Sequence, residues 1–594
     1  MLPTSTPPAQ RKSSTSLPLT TIEEQKQPEE VKQPVQVLQE ENEYEFIETT
    51  LRKSSAFTLE RFSKIYHGDV FYILHEPLEV ALKSHQIDQM EPAILILGAI
   101  SEQDGAFNLI QYHLPSLVPF LMAVLQNKSE LIRATTLWTL SKFTDWISKD
   151  QNLLQEYLTV ICQRMIDHDQ NLQVAACSAF TVMVESMHQD RLVPLIHDPL
   201  QTIQLVIQQY KGIALIALLD CMGQMAVQLK EYLRSPAAEN TRALILDILS
   251  TKWKSVFESD ENERREMPII INLFECFQSV VYAFGIYIEP FALTIFLQCF
   301  KIMQRFYNHV LQDDEYLTGG IGYFSISINL LSSLFNALNR QAQVLILQSQ
   351  QQPAAVTNDF ITLLNELLKF KDHNVKQYVF GLLGEIQKNK ASECFKLQLP
   401  QLILTAIDNL NCGDEQIALV FNNACWFLGE VAFIPVTRDT IKPFLPQIAQ
   451  KLCGIYQYPR LNKSIAMNVA IAFGRLGLVD PKEMAMNYLE SMAKQWCIAM
   501  KTLQNGYEKH SSFVGFLEMI QYNPAPITKC FPHLCSAFIQ YREEGATEEL
   551  VKRFQAILLS VKQAVQQSQQ CTWEEYIAEF PYDIKFFLAN KFAL

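Results

Sequence analysis

The sequence predicts an all-α fold, and three observations lead to that class. Only 19 of the 594 residues are glycine, which leaves few positions for the positive-φ turns that sheet-rich folds use. Apolar residues make up 48% of the chain and charged residues 19%, enough to fill a sizeable core. From about residue 51 onward, apolar residues recur at three- and four-residue steps, as in LPSLVPFLMAVL at 114–125.

Similar apolar helices recur along this region, each preceded by a first helix and a short polar break. The starts of these second helices are separated by 44, 39, 42, 55, 55, 51, 45 and 46 residues. This spacing matches HEAT or armadillo helical-hairpin repeats, which are ~40–47 residues long. The wider steps leave room for predicted loops at 259–266 and 348–359. The predicted second helices are AILILGAI at 93–100, LWTLSKF at 137–143, ACSAFTVM at 176–183, LLDCMGQM at 218–225, LFECFQSV at 273–280, INLLSSLF at 328–335, VFGLLGEI at 379–386, ACWFLGEV at 424–431 and AIAFGRLG at 470–477.

Domain organisation follows from these repeats. Stacked helix pairs bury one continuous core, and so we predict a single α-solenoid over 51–594 in place of the four domains that length suggests. The second helices would line its concave face. Residues 1–50 hold six prolines, no glycine, nine glutamates and four basic residues, without an apolar period. We predict a disordered acidic tail there.

Composition excludes several classes of function. The net charge of −14 disfavours a general nucleic-acid binder and favours a basic partner. No stretch approaches ~18 uninterrupted apolar residues, so we expect no membrane span. The N-terminus lacks the apolar segment of a secretory signal. Thirteen cysteines at irregular spacing predict reduced, buried thiols in a cytosolic or nuclear protein.

No local signature of catalysis is present in the sequence, which lacks GxxxxGK[ST], HExxH and GxSxG. The segment CFPHLC at 530–535 brings two cysteines and a histidine together, but no second ligand pair lies at zinc spacing. We therefore predict no enzyme, no cofactor and no metal site, with Cys530 and Cys535 as core thiols.

Two kinds of residue stand out inside the apolar second helices. Trp138 and Trp426 lie mid-helix beside small or polar neighbours. Each either fills a gap between repeats or forms an aromatic platform for a bound peptide. Carboxylates recur at equivalent places, at Asp220, Glu275, Glu385 and Glu430. Singly they would be solvated or paired, but together they would form an acidic stripe that attracts Lys/Arg-rich segments.

Several of these segments resemble the transportin branch of the importin-β nuclear transport receptors. The segments are LIRATTLWTLSKFTDWI, VAACSAF, FNNACWFLGEVA, NVAIAFGRLGLVDPKE and the run from QWCIAM through WEEYIAEFPYDIKFFLANKFAL. The likeness covers nearly all of residues 46–594, in order, and corresponds to the C-terminal half or so of that family. It implies cargo whose nuclear localisation signal is a disordered, basic segment ending in a Pro-Tyr pair.

The resemblance also implies a set of cargo-binding residues. Trp138 would lie under the Pro-Tyr end of the signal, with Leu95 and Ala56 in the same pocket and Glu60 beside it. Positions along the basic stretch would be Ala175, Glu185, Asp220 and Glu275. Positions for the upstream hydrophobic or basic portion would be Glu385, Trp426, Glu430 and Ile471.

Some positions depart from the family pattern. Lys142 also belongs to the cargo-binding set that the resemblance implies. It stands where the family has arginine, so that a point charge replaces a planar fork. Phe57 stands where a small residue lines the Pro-Tyr pocket. Uncharged residues replace family carboxylates at Val174, Val227 and Asn329. The resemblance therefore predicts the class of cargo better than the exact signal preference.

The implied partners are cargo proteins with such signals and phenylalanine-glycine nucleoporins, for a protein that shuttles between cytoplasm and nucleus. We expect no direct binding of nucleic acid or membrane. The family's Ran-binding repeats have no counterpart here, and residues 1–50 take the place of its acidic loop. We expect Ran-GTP to leave bound cargo in place unless such repeats are supplied, whether the chain is a short receptor or part of a longer gene product. The alternative is a HEAT scaffold or adaptor without transport activity.

Overall fold

A computed structural model describes residues 51–592, apart from 85, 102–105, 259–266, 311–315, 351–359, 412–414, 457–460, 505, 544–545 and 568–571. Throughout this part of the chain every regular element is a helix. The predicted tail over 1–50 and the predicted loop at 259–266 lie outside the described residues. The loop predicted from residue 348 begins later, since the helix Ala342–Gln350 continues through its first residues.

The second helices form one layer, the second-helix layer, in which each helix packs against the one before and the one after. We label them α1 to α12 in chain order. Their bounds are Leu51–Tyr66, Ile87–Ile100, Glu130–Ser141, Gln170–Glu185, Gly212–Gln228, Met267–Phe284, Tyr316–Leu338, His373–Lys388, Glu415–Phe433, Lys463–Leu476, Tyr507–Tyr522 and Glu548–Gln567.

The remaining longer helices form a first-helix layer that covers the other side of the second helices. Their bounds are Gly68–Leu82, Leu114–Val124, Gln151–Met165, His197–Val206, Glu239–Phe257, Glu289–Val310, Ala342–Gln350, Phe360–Leu367, Leu399–Asp408, Leu445–Ile455, Leu489–Thr502 and Phe531–Glu543. Short helices turn the chain between layers at Phe107–Ile110, Thr144–Ile147, Gln189–Leu192, Lys230–Leu233, Arg438–Ile441, Pro481–Asn487 and Ala525–Thr528, and Trp573–Ala578 and Tyr582–Phe592 end the described chain.

The core is one continuous apolar cluster that runs from Phe71 to Leu588. The second helices are apolar over much of their circumference because they contact neighbouring repeats on both sides as well as the first-helix layer. Capping residues define where many of them begin. Asp169, Asp372 and Asn462 each accept a backbone hydrogen bond in the first turn of the helix that follows.

The predicted second-helix segments fall on α2 to α10, with 137–143 extending two residues past the end of α3 and 470–477 one residue past the end of α10, and the all-α solenoid is confirmed. The repeat continues beyond them. The segment FVGFLEMI at 513–520 starts 43 residues after the last predicted one and lies in α11, which packs against α10. Cys530 and Cys535 are buried in the core, as predicted.

We expected no membrane-spanning segment, but two helical stretches meet the length and composition of one. Two helical stretches are long and apolar enough to cross a bilayer, Pro268–Val310 with mean hydropathy 1.8 and Gly320–Ile346 with 1.3, and a bent pair at Ile417–Phe433 and Pro435–Ile455 would make a third. The hydropathy values describe an 18-residue window in each stretch, and 44% and 56% of these windows are buried inside the protein. A search for uninterrupted apolar runs missed them because scattered polar residues break the runs without lowering the mean.

Candidate functional site

An open cavity of about 670 Å³ lies against the second-helix layer at α1, α2 and α3. Four residues of the predicted cargo set line it together, namely Ala56 and Glu60 from α1, Leu95 from α2 and Trp138 from α3. Phe57 also lines the cavity and is 55% exposed, so the residue that departs from the family pattern occupies the pocket itself. The cavity thus joins one indole, apolar walls and a carboxylate.

Trp138 is held close to α2 because Gly98 has no side chain. A Cβ at Gly98 would lie 2.4 Å from Cζ3 of the indole, far inside van der Waals contact. The Thr139 hydroxyl donates to the Ile94 carbonyl at 2.9 Å and fixes the two helices beside this contact. The indole is therefore seated against the neighbouring repeat on one side while its remaining surface meets the cavity.

Charged side chains surround this indole. Lys142 places its Nζ 5.3 Å from the Trp138 ring centroid, which is a cation–π distance. Glu60 is paired with Lys64 one turn later, with 2.7 Å between Oε1 and Nζ. At the cavity wall, Arg52 contacts the buried Glu91 and donates to the Thr135 hydroxyl at 2.9 Å. The pocket therefore contains both cations and carboxylates.

The middle of the layer carries the residues predicted for the basic stretch of the signal. Glu185 and Asp220 are exposed, and Ala175 and Glu275 are partly exposed. Burial raises the pKa of the Asp220 carboxyl, which a hydrogen bond with Gln224 opposes. Burial also raises the pKa of Glu275, and the nearby Asp220 charge raises it further. These two carboxylates from α5 and α6 thus repel each other across neighbouring repeats.

Three residues where the family has carboxylates lie in the same layer. Val174 on α4 and Asn329 on α7 are partly exposed, and Val227 on α5 is 39% exposed. The acidic surface is consequently interrupted on either side of Asp220 and Glu275.

The second tryptophan repeats the construction of the first. A Cβ at Gly384 of α8 would lie 2.2 Å from Cζ3 of Trp426 on α9, so the absence of a side chain again admits the indole. The surroundings differ, because the indole Nε1 donates to the Glu508 carboxylate at 3.0 Å. Glu508 lies in the first turn of α11, two repeats further along the chain.

Two residues of the predicted cargo set, Glu430 and Ile471, are buried. Glu430 is fully buried and forms an ion pair with the fully buried Arg475, at 2.8 Å between Oε1 and Nη1. The Tyr507 hydroxyl also donates to Glu430. Ile471 is 3% exposed and belongs to the apolar core. Both side chains point into the packing of α9, α10 and α11, and the cargo contacts expected at these positions stay predictions.

Glu385 has an intermediate environment. Its side chain is 17% exposed and pairs with Lys388 at 3.4 Å. Burial raises the pKa of this carboxyl, while Lys388 lowers it. The carboxylate is therefore partly neutralised by its own helix.

Sequence inspection missed Tyr507 and Glu508. Both lie at the start of α11, and the Tyr507 ring is 41% exposed beside Phe433, with 6.1 Å between ring centroids. The repeat period could have located α11 itself. The contact with Trp426 could not be read from the period, because it joins residues 82 positions apart. Among the described residues, no three His, Cys, Asp or Glu side chains converge as metal ligands.

The fold and this layered surface define a class, the HEAT-repeat solenoids of the importin-β type. A model of the HEAT-like repeat matches residues 91–143, across α2 and α3. Importin beta in an ammonium sulfate crystal form has a TM-score of 0.53 with 13% identity, over 82% of this chain and 59% of that one. Yeast importin-beta (Kap95p) has a TM-score of 0.50 with 13% identity, over 78% and 58%. These solved structures show the shared fold.

Within that class, transportins are among the curated relatives. The chain is 27% identical to Transportin-1 of Homo sapiens over 542 residues, and 28% identical to Transportin-1 of Oryza sativa subsp. japonica over 522 residues. These matches cover 90% and 84% of this chain but 56% and 55% of the relatives. The resemblance to transportins is thereby confirmed, and the chain spans about half the length of the curated relatives it matches.

Proposed function

We propose that this chain is the cargo-binding part of a nuclear import receptor and binds basic Pro-Tyr nuclear localisation signals of cargo proteins. The observation that carries the proposal is the open cavity at Trp138. It unites Ala56, Glu60 and Leu95 around an accessible indole, although these residues come from three separate helices. An indole beside apolar walls suits the rings of a Pro-Tyr pair, and the polar groups that line the same cavity can fix the orientation of the ligand.

Electrostatics supports a basic ligand. The chain carries a net charge of −14, and Asp220 and Glu275 face each other in the middle of the layer. Lysine or arginine side chains of a ligand would relieve this repulsion and would favour the ionised carboxylates. The resulting affinity would be strongly salt-dependent, because the charges are partly solvated.

The test is fluorescence anisotropy with a labelled, lysine- and arginine-rich peptide that ends in Pro-Tyr. Trp138→Ala and Trp426→Ala should each weaken binding by about 2 kcal/mol, the size of an interface hot spot. A peptide ending in Ala-Ala should lose the contribution of Trp138 and keep that of Trp426. Unchanged affinity in the double tryptophan variant would contradict the assigned site.

A scaffold or adaptor without transport activity is the alternative function. It predicts that the chain binds folded partners and gains nothing from a Pro-Tyr ending. Import of a fluorescent protein fused to the peptide, in permeabilised cells supplied with this chain, separates the two functions. Nuclear accumulation that depends on Trp138 supports the receptor, and none would favour the scaffold.

Other partners of the receptor family remain predictions for this chain. Nucleoporin binding is supported by no residue of the described surface, and the solved Kap95:Nup1 complex, with a TM-score of 0.53 and 13% identity, shares the fold alone. A pull-down with a phenylalanine-glycine repeat tests it directly. Adding Ran-GTP to a preformed peptide complex tests whether cargo is retained.

A further inference from the structure

Glu508 lies at the Trp426 site although nothing in the sequence assigned it there. Its Oε1 accepts the indole N–H of Trp426 at 3.0 Å. An ionised carboxylate offers about four acceptor positions, so one indole hydrogen bond leaves most of them for another donor. The residue is partly exposed, and so a ligand can reach it.

The other carboxylates of this region are less able to serve a ligand. Glu430 has no exposed surface and already binds Arg475 and Tyr507. Glu385 is paired with Lys388 on its own helix. Glu508 differs because it accepts a hydrogen bond from a neutral N–H donor, the Trp426 indole.

The charged surroundings of Glu508 are the start of α11 and one neighbouring cation. Glu508 lies in the first turn of α11, where the positive end of the helix dipole stabilises an anion. Arg475 is the nearby cation, but its direct hydrogen bonds go to Glu430 at 2.8 Å and to the Ser511 hydroxyl at 2.8 Å. Arg475 therefore acts on Glu508 only through space, as an attraction that raises the pKa of Arg475 after the larger effect of Glu430.

We propose that Glu508 is the specificity-determining acidic residue of the Trp426 site, and that it pairs with an arginine of the bound peptide whose guanidinium stacks on the indole. The inference rests on the proposed function. Arginine fits better than lysine, because its planar fork can bind a carboxylate and stack on an aromatic face at once. The half-exposed Tyr507 ring forms the other aromatic surface at this place.

The experiment uses the whole chain and a set of labelled peptides that end in the same basic Pro-Tyr segment. One arginine is moved through an otherwise neutral upstream segment, and each peptide has a partner with citrulline, a neutral isostere, at that position. Glu508→Gln keeps an oxygen acceptor for the Trp426 indole and removes only the charge. We expect it to weaken the best arginine peptide roughly tenfold and to leave its citrulline partner unchanged.

Glu490→Gln is the matched control, because Glu490 is exposed in the first-helix layer and pairs with Lys529. It should change neither affinity. Glu508→Lys should lose affinity for the arginine peptide. A peptide with glutamate in place of the arginine should recover that affinity with the same variant. This charge swap separates a ligand contact from a folding defect.

Three results would count against the proposal. Equal loss of both peptides with Glu508→Gln, or loss of neither, would overturn it while Trp138→Ala still supports the receptor. Failure of the charge swap with a folded variant would overturn it also. If the unmodified chain binds no Pro-Tyr peptide, the proposed function fails and this inference fails with it.

Discussion

The sites of Trp138 and Trp426 have the same construction and differ in what meets the indole. In both, a glycine one repeat earlier admits the ring, Gly98 in one case and Gly384 in the other. At Trp138 the ring borders an open cavity. At Trp426 a residue from two repeats further on binds the indole N–H. An identical local pattern therefore produces one site that is open and one that is occupied in part by the protein itself.

The difference arises from a buried polar network at the second site. Glu430, Arg475 and Tyr507 connect α9, α10 and α11, and the Arg475 guanidinium lies 5.0 Å from the Phe433 ring centroid. This network brings the first turn of α11 over Trp426. At Trp138 the contacts of Arg52 with Glu91 and Thr135 connect α1, α2 and α3 at the cavity wall, and the cavity stays open.

The largest expected effect comes from breaking this network. Glu430→Gln should lower the free energy of unfolding of the unit around α9 to α11 by about 3–5 kcal/mol, because Arg475 is left as a buried, uncompensated charge. Hydrogen exchange of the backbone amides in these helices measures it, since a solenoid opens locally. Binding at Trp138 should persist.

The control is Glu60→Gln, which removes an exposed ion pair with Lys64. Such a pair contributes about 0–1 kcal/mol, so exchange should hardly change. If Glu430→Gln leaves the amide protection of α9 to α11 unchanged, the ion pair does not hold this region together.

The two glycine slots offer a sharper comparison. Gly98→Ala and Gly384→Ala each place a Cβ within 2.4 Å of an indole and should destabilise the protein by about 1–3 kcal/mol through overpacking. The cost should be larger at Gly384, because displacing Trp426 also breaks its hydrogen bond with Glu508. Thermal denaturation measures the stabilities, and the difference in emission from the matching Trp→Phe variant follows each indole among the six tryptophans of the chain.

Gly454→Ala is the matched control, since no atom lies within 4 Å of the added Cβ. Replacing a helical glycine there should stabilise by up to about 1 kcal/mol. Equal costs at Gly98 and Gly384 would mean that the Glu508 contact adds nothing to the seating of Trp426.

The sequence predicts the repeats and the two tryptophans well because both depend on local pattern. A period of 39 to 55 residues identifies the helices that stack, and the two tryptophans stand out inside apolar helices, although the glycines that admit them lie one repeat earlier. The ionic partner of Glu430 and the approach of Glu508 to Trp426 depend on packing between repeats. No single repeat contains that information, and so the sequence does not indicate that Glu430 is buried and paired with Arg475.

A smaller effect is expected from Lys142, whose ammonium lies over the Trp138 ring. Lys142→Met should strengthen a basic Pro-Tyr peptide by about 0.5–1 kcal/mol, because it removes a competing cation from the aromatic face. Fluorescence anisotropy at two salt concentrations measures the change. Lys149→Met is the control, because Lys149 is exposed just after the short helix Thr144–Ile147, and it should not change the affinity. Weaker binding by Lys142→Met would instead indicate that Lys142 contacts the ligand, as an arginine would.

The smallest effect concerns pH, and it belongs to the surface between the two tryptophan sites. The pKa values of Asp220 and Glu275 are raised in the folded chain. Between the ordinary and the raised pKa, the folded chain binds more protons than the unfolded chain, so these two groups add stability as the pH falls through that window. A cationic peptide binds the ionised forms, and its affinity should fall in the same window.

The double variant Asp220→Asn with Glu275→Gln should flatten the pH profiles of stability and of peptide affinity. It should also weaken peptide binding at neutral pH by roughly threefold. Anisotropy and thermal denaturation across the acidic range measure the two profiles. If both remain as steep in the double variant, other carboxylates titrate there, and the middle of the layer does not link the two sites electrostatically.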